Sequence, residues 1–245
     1  VLFGKEAGGA ATTASGSVLL GYRAGKELTT GNMNIAIGWD AMNGAAITGN
    51  NNIAIGKLAM GVGDVSGASN IAIGTTSADA LTTGACNIAI GLDAYGAAAA
   101  GGYNTAIGYE AGDAITSGAD NVAIGRSAFG AATTGCRNVA IGELAQGAAV
   151  VTGNDNVAIG YAAMDVMTNG DDNVAIGRNA FGVATTGCEN IAIGKTAMGA
   201  GVTIGNDNIA IGTTAMDALT TGKFNIAMGQ NALGAATTGC HNIAM

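Results

Sequence analysis

A pattern of alternating large apolar and small or polar side chains recurs along the chain at a nearly constant interval. Its first complete copy is Asn34-Ile35-Ala36-Ile37-Gly38, in which the two isoleucines lie two residues apart. Twelve further copies follow, each beginning seventeen or eighteen positions after the one before. Such recurrence predicts a repeat protein in which each copy is one structural unit. The later copies begin at Asn52, Asn70, Asn87, Asn104, Asn121, Asn138, Asn156, Asn173, Asn190, Asn208, Asn225 and Asn242.

Each copy predicts one short β-strand, because apolar residues two apart are typical of a strand and the position after the asparagine is always β-branched. A strand this short cannot bury a face alone. Identical strands stacked about 4.8 Å apart can pair with the coils above and below. The sequence therefore predicts an all-β fold, a parallel β-solenoid (β-roll or β-helix) with one coil of 17–18 residues per repeat. Fifteen such coils would form a rod on the order of 70 Å long.

The alternation also predicts which side chains face the interior of each coil. We expect the isoleucine pair to form the core, and the asparagine, the central alanine and the glycine to point outward. The asparagines would stack as a hydrogen-bonded ladder at a corner, and the glycine would supply the backbone freedom that a corner needs. The residues that represent these structural roles are Asn34, Ile35, Ala36, Ile37, Gly38, Asn121, Ile124 and Gly125.

An outward alanine in every copy would form a flat, mildly apolar surface along the rod. Continuous exposed apolar surface is typical of an interface, and small side chains let two backbones approach closely. We therefore expect rods to pack side by side through Ala36 and its counterparts, most simply as a parallel homotrimer whose closed symmetry covers this surface.

The second half of most coils carries one large apolar residue, eight positions after the asparagine. We expect most of these residues to fill the interior opposite the isoleucine pair, a place where methionine suits irregular gaps. The longer of the two coil types should place its extra residue in the turn that follows. The large residues are Met42, Met60, Tyr95, Phe129, Met164, Phe181, Met198, Met216 and Leu233.

Weaker copies of the pattern occur upstream of Asn34. They are SVLLG at residues 17–21 and VLFG at residues 1–4, and the last copy ends as NIAM, before its glycine. The pattern is thus cut within a repeat at both ends. We treat residues 1–245 as a single repetitive segment and expect an excerpt of a longer chain or a unit that stacks end to end.

Composition and charge exclude several classes of protein. The chain has 43 glycines, no proline and only 11% charged residues, which is too apolar for disorder. Its net charge is −8, and its nine basic residues are scattered, so we expect no binding of nucleic acid. Asparagine and glycine interrupt every apolar run before the roughly 18 to 20 residues of a membrane span, so we expect no membrane insertion.

The repeats resemble those of a known group of proteins. The pentapeptides NVAIG, NIAIG and NTAIG, followed by x-x-A and TTG, resemble the repeats of bacteriophage tail and head fibres, notably cyanophage-like fibre proteins. They are also similar to the SVAIG repeats in the heads of trimeric autotransporter adhesins. The resemblance covers essentially the whole chain and implies a fibrous, trimeric protein. The coil here is longer than the adhesin coil, so handedness and trimer packing are not carried over.

The cysteines recur with a slower period. Cys136, Cys188 and Cys240 are each three coils apart, and Cys86 lies one place nearer its asparagine. Three coils span roughly 14 Å, which exceeds the Cα separation of a disulfide. We expect free thiols that act as small side chains, with interchain bridges or modification as the alternative.

Two further site types are weighed and disfavoured. Aspartates just before the repeat asparagine, at 120, 155, 171, 172 and 207, could bind Ca²⁺, but they form no continuous column, and turn residues are expected instead. Threonine pairs suggest an ice-binding face, but too many coils break the array. These pairs are at 29–30, 82–83, 133–134, 185–186, 220–221 and 237–238.

No catalytic, metal or cofactor site is expected. The single histidine, His241, has no nucleophile motif around it, and Asp40 and Asp93 are three coils apart, too far for a glycosidase pair. Trp39 and the tyrosines could stack on sugars, but they are dispersed along the sequence.

The leading hypothesis is a structural shaft or head segment of a trimeric phage tail or head fibre, located on the virion or outside the cell. Its expected partner is itself, as a homotrimer or by end-to-end stacking, with a host-surface receptor or glycan contacted through other domains. The alternatives are an extracellular adhesin or self-assembling filament of a cell and, third, an ice-binding solenoid.

Overall fold

The computed structural model describes residues 1–97, 100–131, 134–147, 151–183, 186–199, 204–235 and 237–245. Its regular structure is a series of short β-strands, and the described residues contain no helix. The strands are β1 Leu2–Phe3, β2 Val18–Leu20, β3 Ile35–Ile37, β4 Ile53–Ile55, β5 Ile71–Ile73, β6 Ile88–Ile90, β7 Thr105–Ile107, β8 Val122–Ile124, β9 Val139–Ile141, β10 Val157–Ile159, β11 Val174–Ile176, β12 Ile191–Ile193, β13 Ile209–Ile211, β14 Ile226–Met228 and β15 Ile243–Ala244.

The chain divides into two compact units, Val1–Ala123 and Ile124–Met245, with β8 at the division. In the first unit, β1 to β7 pair in chain order, and every pair is parallel. In the second unit, β9 to β15 pair in the same way. The prediction of an all-β parallel β-solenoid, with one coil per repeat, is confirmed.

The strand register shows where the coils differ in length. Ile35 pairs with Ile53 across a longer coil, while Ile71 pairs with Ile88 across a coil that is one residue shorter. The alanines between the isoleucines align in both cases. The extra residue of a longer coil therefore lies outside the strand, in the connecting turns, as predicted.

The predicted assignment of faces is wrong. Ala36 and Asn34 are fully buried, whereas Ile35 and Ile37 on either side of the alanine are only partly buried. The same inversion holds at the later copy, where Asn121 is buried and Ile124 is partly exposed. Alternation along the strand was correctly inferred, but the small side chains face the interior and the isoleucines face outward. The expected outward alanine surface does not exist.

The inversion follows from the contents of the coil interior. Met42, Phe129 and Phe181, from the second half of their coils, are buried as predicted. Leu28 and Ile47, which come later in their coils and form a parallel bridge with each other, are also fully buried. An alanine fits opposite these large side chains, whereas two isoleucines per coil would overfill the interior. Leu233 is only partly buried.

The glycine after each strand is required by the stacking of coils. Gly38 has φ of 138°, and a Cβ built on it would lie 2.5 Å from the carbonyl oxygen of Gly56 in the next coil. Gly125 has φ of 129° and a similarly close neighbour, since a Cβ there would lie 2.7 Å from the carbonyl carbon of Gly142. The predicted role of glycine at the bend is confirmed, and close backbone approach is a second reason for it.

Candidate functional surfaces

A ladder of buried asparagines runs inside each unit. The backbone N–H of Asn52 donates to Oδ1 of Asn34 at 2.8 Å, and Asn34 Nδ2 donates to the carbonyl oxygen of Gly49 at 2.9 Å. In most coils Nδ2 also donates to the preceding asparagine, as Asn70 does to Asn52 at 3.1 Å. The predicted ladder is confirmed. Its amides are buried, and they find their hydrogen-bond partners within the stack of coils, so the ladder is a structural element.

The weaker copy at residues 17–21 joins the same ladder. Ser17 Oγ accepts a hydrogen bond of 3.1 Å from the backbone N–H of Asn34. A hydroxyl oxygen thus takes the place of the amide oxygen at that level. Sequence comparison of the repeats located this copy correctly.

A second, outer ladder lies two residues before the asparagines, and it was missed by sequence reasoning. Asn32 N–H donates to Oδ1 of Asn50 at 2.7 Å, and Asn154 N–H donates to Oδ1 of Asp171 at 2.7 Å. In this column a side-chain oxygen in one coil accepts a hydrogen bond from the backbone N–H at the equivalent position of the preceding coil. The signal in the sequence is the frequent Asn or Asp two residues before the repeat asparagine.

Three of the four cysteines lie in this outer column. Cys188 Sγ accepts a hydrogen bond from the backbone N–H of Asp171 at 3.4 Å, and Cys136 N–H donates to Asn154 Oδ1 at 2.9 Å. Cys86 and Cys240 are exposed, and no disulfide joins any of the four. Cysteine here substitutes for asparagine as an acceptor in the ladder.

The outward side chains of each strand form a surface that we call the apolar stripe. It consists of the first and third residues of the strand triplets, such as Ile35 and Ile37 of β3. In the first unit the third residues of β2, β5 and β7 are exposed, with Leu20 at 41%, Ile73 at 37% and Ile107 at 36%. In the second unit Ile176 is 37% exposed. No charged residue occurs at the stripe positions of either unit.

Four of the five aspartates weighed as Ca²⁺ ligands have the backbone conformation of turn residues, as expected, and Asp171 is an acceptor in the outer ladder. Asp120, Asp155, Asp172 and Asp207 have φ of 58° or 59°, a left-handed conformation that aspartate tolerates. Asp155 forms a two-point ion pair with Arg137, with both distances 2.7 Å, and this pairing holds the pKa of the carboxyl below its usual value. Within the described ranges, no three His, Cys, Asp or Glu side chains are arranged to hold a metal ion.

Two carboxyl groups of the first unit have raised pKa values. Burial raises the pKa of Asp113, and the nearby charges of Glu110 and Asp93 add to the effect. Burial likewise raises the pKa of Asp79, with a contribution from Asp93. The charged form of each of these carboxyl groups therefore destabilises the folded state.

Tyr95 occupies the large interior position of its coil. Its hydroxyl donates to the carbonyl oxygen of Gly101 at 2.9 Å and accepts from Asn104 Nδ2 at 2.9 Å, so it joins the asparagine ladder. Burial raises the pKa of Tyr95 to about 12.

The remaining candidates have local structural partners. Thr29 Oγ1 donates to the carbonyl oxygen of Ile47 at 3.2 Å, and Thr220 Oγ1 donates to that of Thr237 at 2.9 Å, so these hydroxyls link coils. Thr133 and Thr185 lie outside the described residues. His241 stacks on Phe224 with ring centroids 5.0 Å apart.

The structure brings together two aromatic residues that the sequence suggested were dispersed. Tyr22 and Trp39 occupy the same position of successive coils, and their ring centroids are 4.9 Å apart with planes tilted by 54°. Trp39 Nε1 donates to Asp40 Oδ2 at 2.8 Å. Arg23 contacts Asp40 and Tyr22. Its Nη1 is 3.5 Å from Asp40 Oδ1, and its guanidinium carbon is 5.9 Å from the centroid of the Tyr22 ring. We call these four residues the aromatic cluster.

These features define the molecule as a β-solenoid repeat protein with an internal amide ladder, an outward apolar stripe and one aromatic cluster. No protein-family model matches the chain, and comparisons with curated proteins and with solved structures find no match. In the part of the chain that the structure describes, no helix is long and apolar enough to cross a membrane.

Proposed function

We propose that this protein is a structural, non-catalytic segment of a fibre, on a virion or outside the cell, in which three copies pack side by side through their apolar stripes. The observation that carries the proposal is the stripe itself, because it exposes isoleucine, valine and leucine without a charged residue among them. The stripe replaces the alanine surface that the sequence suggested as the packing face.

The stripe is open to solvent at every level of the first unit from β2 to β7. The first and third residues of each of these strands are partly buried or exposed, and none is fully buried. Contiguous exposed apolar surface larger than on the order of a few hundred Å² is typical of interaction sites. The strand backbones beneath the stripe are already hydrogen-bonded to the neighbouring coils, so a partner is needed only to cover the apolar side chains. Burial of these side chains against a partner would be favourable.

The best-fitting partner is a second copy of the same chain. Side chains along the stripe repeat at the strand spacing of about 4.8 Å, and another copy in parallel presents the same spacing. Rows of β-branched side chains can then interdigitate along each unit without losing register. A closed arrangement of three copies covers every stripe and leaves no open surface for unlimited growth.

The fibre assignment is supported by the resemblance of the NxAIG repeats to phage fibre repeats and to trimeric adhesin heads. It is also supported by the construction of each unit, in which every coil contacts the coils before and after it, because such repeats can be added one after another along a fibre. Attachment to a host would then be a task that the fibre supports by holding its binding parts away from the virion.

The test is the mass of the full chain in solution by sedimentation equilibrium over a range of concentrations. We expect a stable trimer. A variant carrying Ile55→Lys, Ile73→Lys and Ile90→Lys places charges on three successive levels of the stripe and should sediment as a monomer. The control carries Thr75→Lys and Leu92→Lys, two residues further along their coils at exposed positions, and should remain a trimer.

Circular dichroism of both variants shows whether the coils remain folded, which separates loss of assembly from loss of structure. A monomeric wild-type chain would refute the assembly. A trimer unaffected by the three lysines would refute the stripe as its interface.

A further inference from the structure

We propose that the aromatic cluster of Tyr22, Arg23, Trp39 and Asp40 is a binding site for a neutral pyranose ring of a glycan. Trp39 is the only tryptophan of the chain and is 58% exposed. The tilted ring of Tyr22 beside it gives an angled platform that spans two coils. This binding goes beyond a purely structural role, because it places recognition within the solenoid itself.

The platform is held in place before any ligand arrives. Asp40 Oδ2 accepts the indole N–H of Trp39, and Oδ1 of the same carboxylate accepts from Asn43 Nδ2 at 3.1 Å. The backbone N–H of Asp40 also donates to the carbonyl oxygen of Tyr22 at 3.0 Å, which links the two coils. With its single polar atom satisfied by Asp40, Trp39 offers solvent only apolar ring surface. Preorganisation of this kind lowers the entropy that binding costs.

Polar groups border the platform on the side of the preceding coils. Arg23 lies between Asp40 and Glu6, with its Nε 3.8 Å from Glu6 Oε2, and Lys26 Nζ is 3.5 Å from the same oxygen. Each of these side chains is partly exposed, and the guanidinium carbon of Arg23 lies 5.9 Å from the centroid of the Tyr22 ring. A ring with hydroxyl groups at its edge would exchange hydrogen bonds with them.

The charges around the platform nearly cancel, although the whole chain has a net charge of −8. From residue 5 to residue 57 the sequence contains four basic and three acidic residues, Lys5, Arg23, Lys26, Lys57, Glu6, Glu27 and Asp40. The salt bridges pair most of them. A neutral, multiply hydroxylated ligand fits such a surface better than an ionic one, because it need not break these pairs.

A pyranose has both surfaces that the cluster demands. Its C–H face is weakly positive and packs on the negative face of an aromatic ring, while its edge carries hydroxyl donors and acceptors. An aliphatic protein side chain supplies the first feature without the second. The combination of an exposed indole and a neutral polar border therefore selects a sugar.

The proposal does not depend on the trimer. Trp39 follows the bend at Gly38, whereas the apolar stripe ends at Ile37. Failure of the chain to form trimers would leave the cluster intact, and loss of sugar binding would leave the stripe intact. The two proposals can therefore fail separately.

The experiment is saturation-transfer difference NMR on the full chain with a panel of methyl glucoside, methyl galactoside, chitotriose and, as the acidic member, sialic acid. Intrinsic fluorescence gives the affinity, because the one tryptophan lies in the site. We expect a neutral member to bind with a dissociation constant on the order of 1 mM. Trp39→Ala should weaken binding at least about tenfold, and Trp39→Phe should retain part of it. The affinities of the variants are taken from NMR titration.

The matched control is Tyr161→Ala. Tyr161 occupies the same coil position, is 48% exposed, and has Glu143 and Arg178 rather than a second aromatic residue at that position in the neighbouring coils. This variant should bind like the wild type. Absence of binding to all neutral members, equal binding by Trp39→Ala, or a preference for sialic acid would each overturn the proposal.

Discussion

The backbone N–H of Asn52 donates to the side-chain oxygen of Asn34, its counterpart one coil earlier, at 2.8 Å. Asn52 in turn accepts from Asn70 N–H at 2.9 Å and donates to the carbonyl oxygen of Gly67 at 2.9 Å. Asn52 thus links three coil levels, and its side-chain amide makes the bonds to Asn70 and Gly67. Because all of these atoms are buried, loss of the amide leaves donors and acceptors that water cannot reach.

Asn52→Ala should therefore lower the free energy of unfolding by about 2–4 kcal/mol, measured by chemical denaturation. The control is Asn51→Gly, which alters the exposed neighbour and retains its φ of 59°. That variant should differ from the wild type by less than about 1 kcal/mol. Equal stability of both variants would show that the ladder contributes little.

Gly38→Ala should destabilise the first unit by at least about 2 kcal/mol, because the methyl group meets the backbone of Gly56 and the residue must keep a φ of 138°. Gly9→Ala is the matched control, since a Cβ there would lie 3.5 Å from its nearest neighbour. Thermal unfolding followed by circular dichroism compares the two. A change in midpoint of the same size for both would contradict the stacking argument.

Gln146→Met should stabilise the second unit. Gln146 is fully buried at the large interior position, and among the described residues neither its Nε2 nor its Oε1 has a hydrogen-bond partner. Methionine fills this position in other coils, so the change removes the cost of the unpaired amide, about 1–3 kcal/mol, at nearly constant volume. The reverse change, Met164→Gln in the next coil, should destabilise by a similar amount. Denaturant midpoints of the two variants should move in opposite directions.

Asp113→Asn should raise stability at neutral pH. The pKa of Asp113 is raised by burial, so the folded state binds its proton more tightly than the unfolded state does. Its contribution to stability therefore falls as pH rises from the ordinary pKa of 3.8 through the raised value, and it remains unfavourable above that. The variant should lose this part of the pH dependence, measured as the free energy of unfolding from acid to neutral pH.

The control for this prediction is Asp155→Asn, where Arg137 lowers the pKa and the sign is opposite. Its wild-type carboxyl favours folding above the ordinary pKa, so the variant should gain no stability at neutral pH. A gain in both variants would indicate a general effect of reducing negative charge.

Tyr95 should titrate far above the ordinary pKa of a tyrosine. Burial raises the pKa of Tyr95 to about 12, so an absorbance titration of the folded protein should contain an ionisation step near that pH. Since the folded pKa is raised, the stability that the neutral phenol contributes is present below pH 10 and is lost as pH rises towards 12. Tyr95→Phe should remove this late step.

The sequence by itself determined the period, the position of each strand, the parallel stacking and the asparagine ladder. These features depend on local recurrence, because identical segments stacked in register satisfy one another, and spacing alone shows where they lie. It also located Met42 and Phe129 in the interior, since large apolar side chains at a fixed place in each coil must be buried somewhere. The weaker copy at Ser17 was found by the same spacing.

Only the tertiary structure decided which face of each strand is inside. Alternation has a period of two whichever face is buried, so Ile35 and Ala36 could exchange roles without changing the pattern. The choice depends on the volume left by Met42, Ile47 and their counterparts across the coil, which no local pattern measures. The tertiary structure was also needed to find the outer ladder through Cys188 and the contact between the rings of Tyr22 and Trp39. Both depend on which side chains the stacking of coils brings side by side, and residues one coil apart in sequence are neighbours only after the chain has turned back on itself.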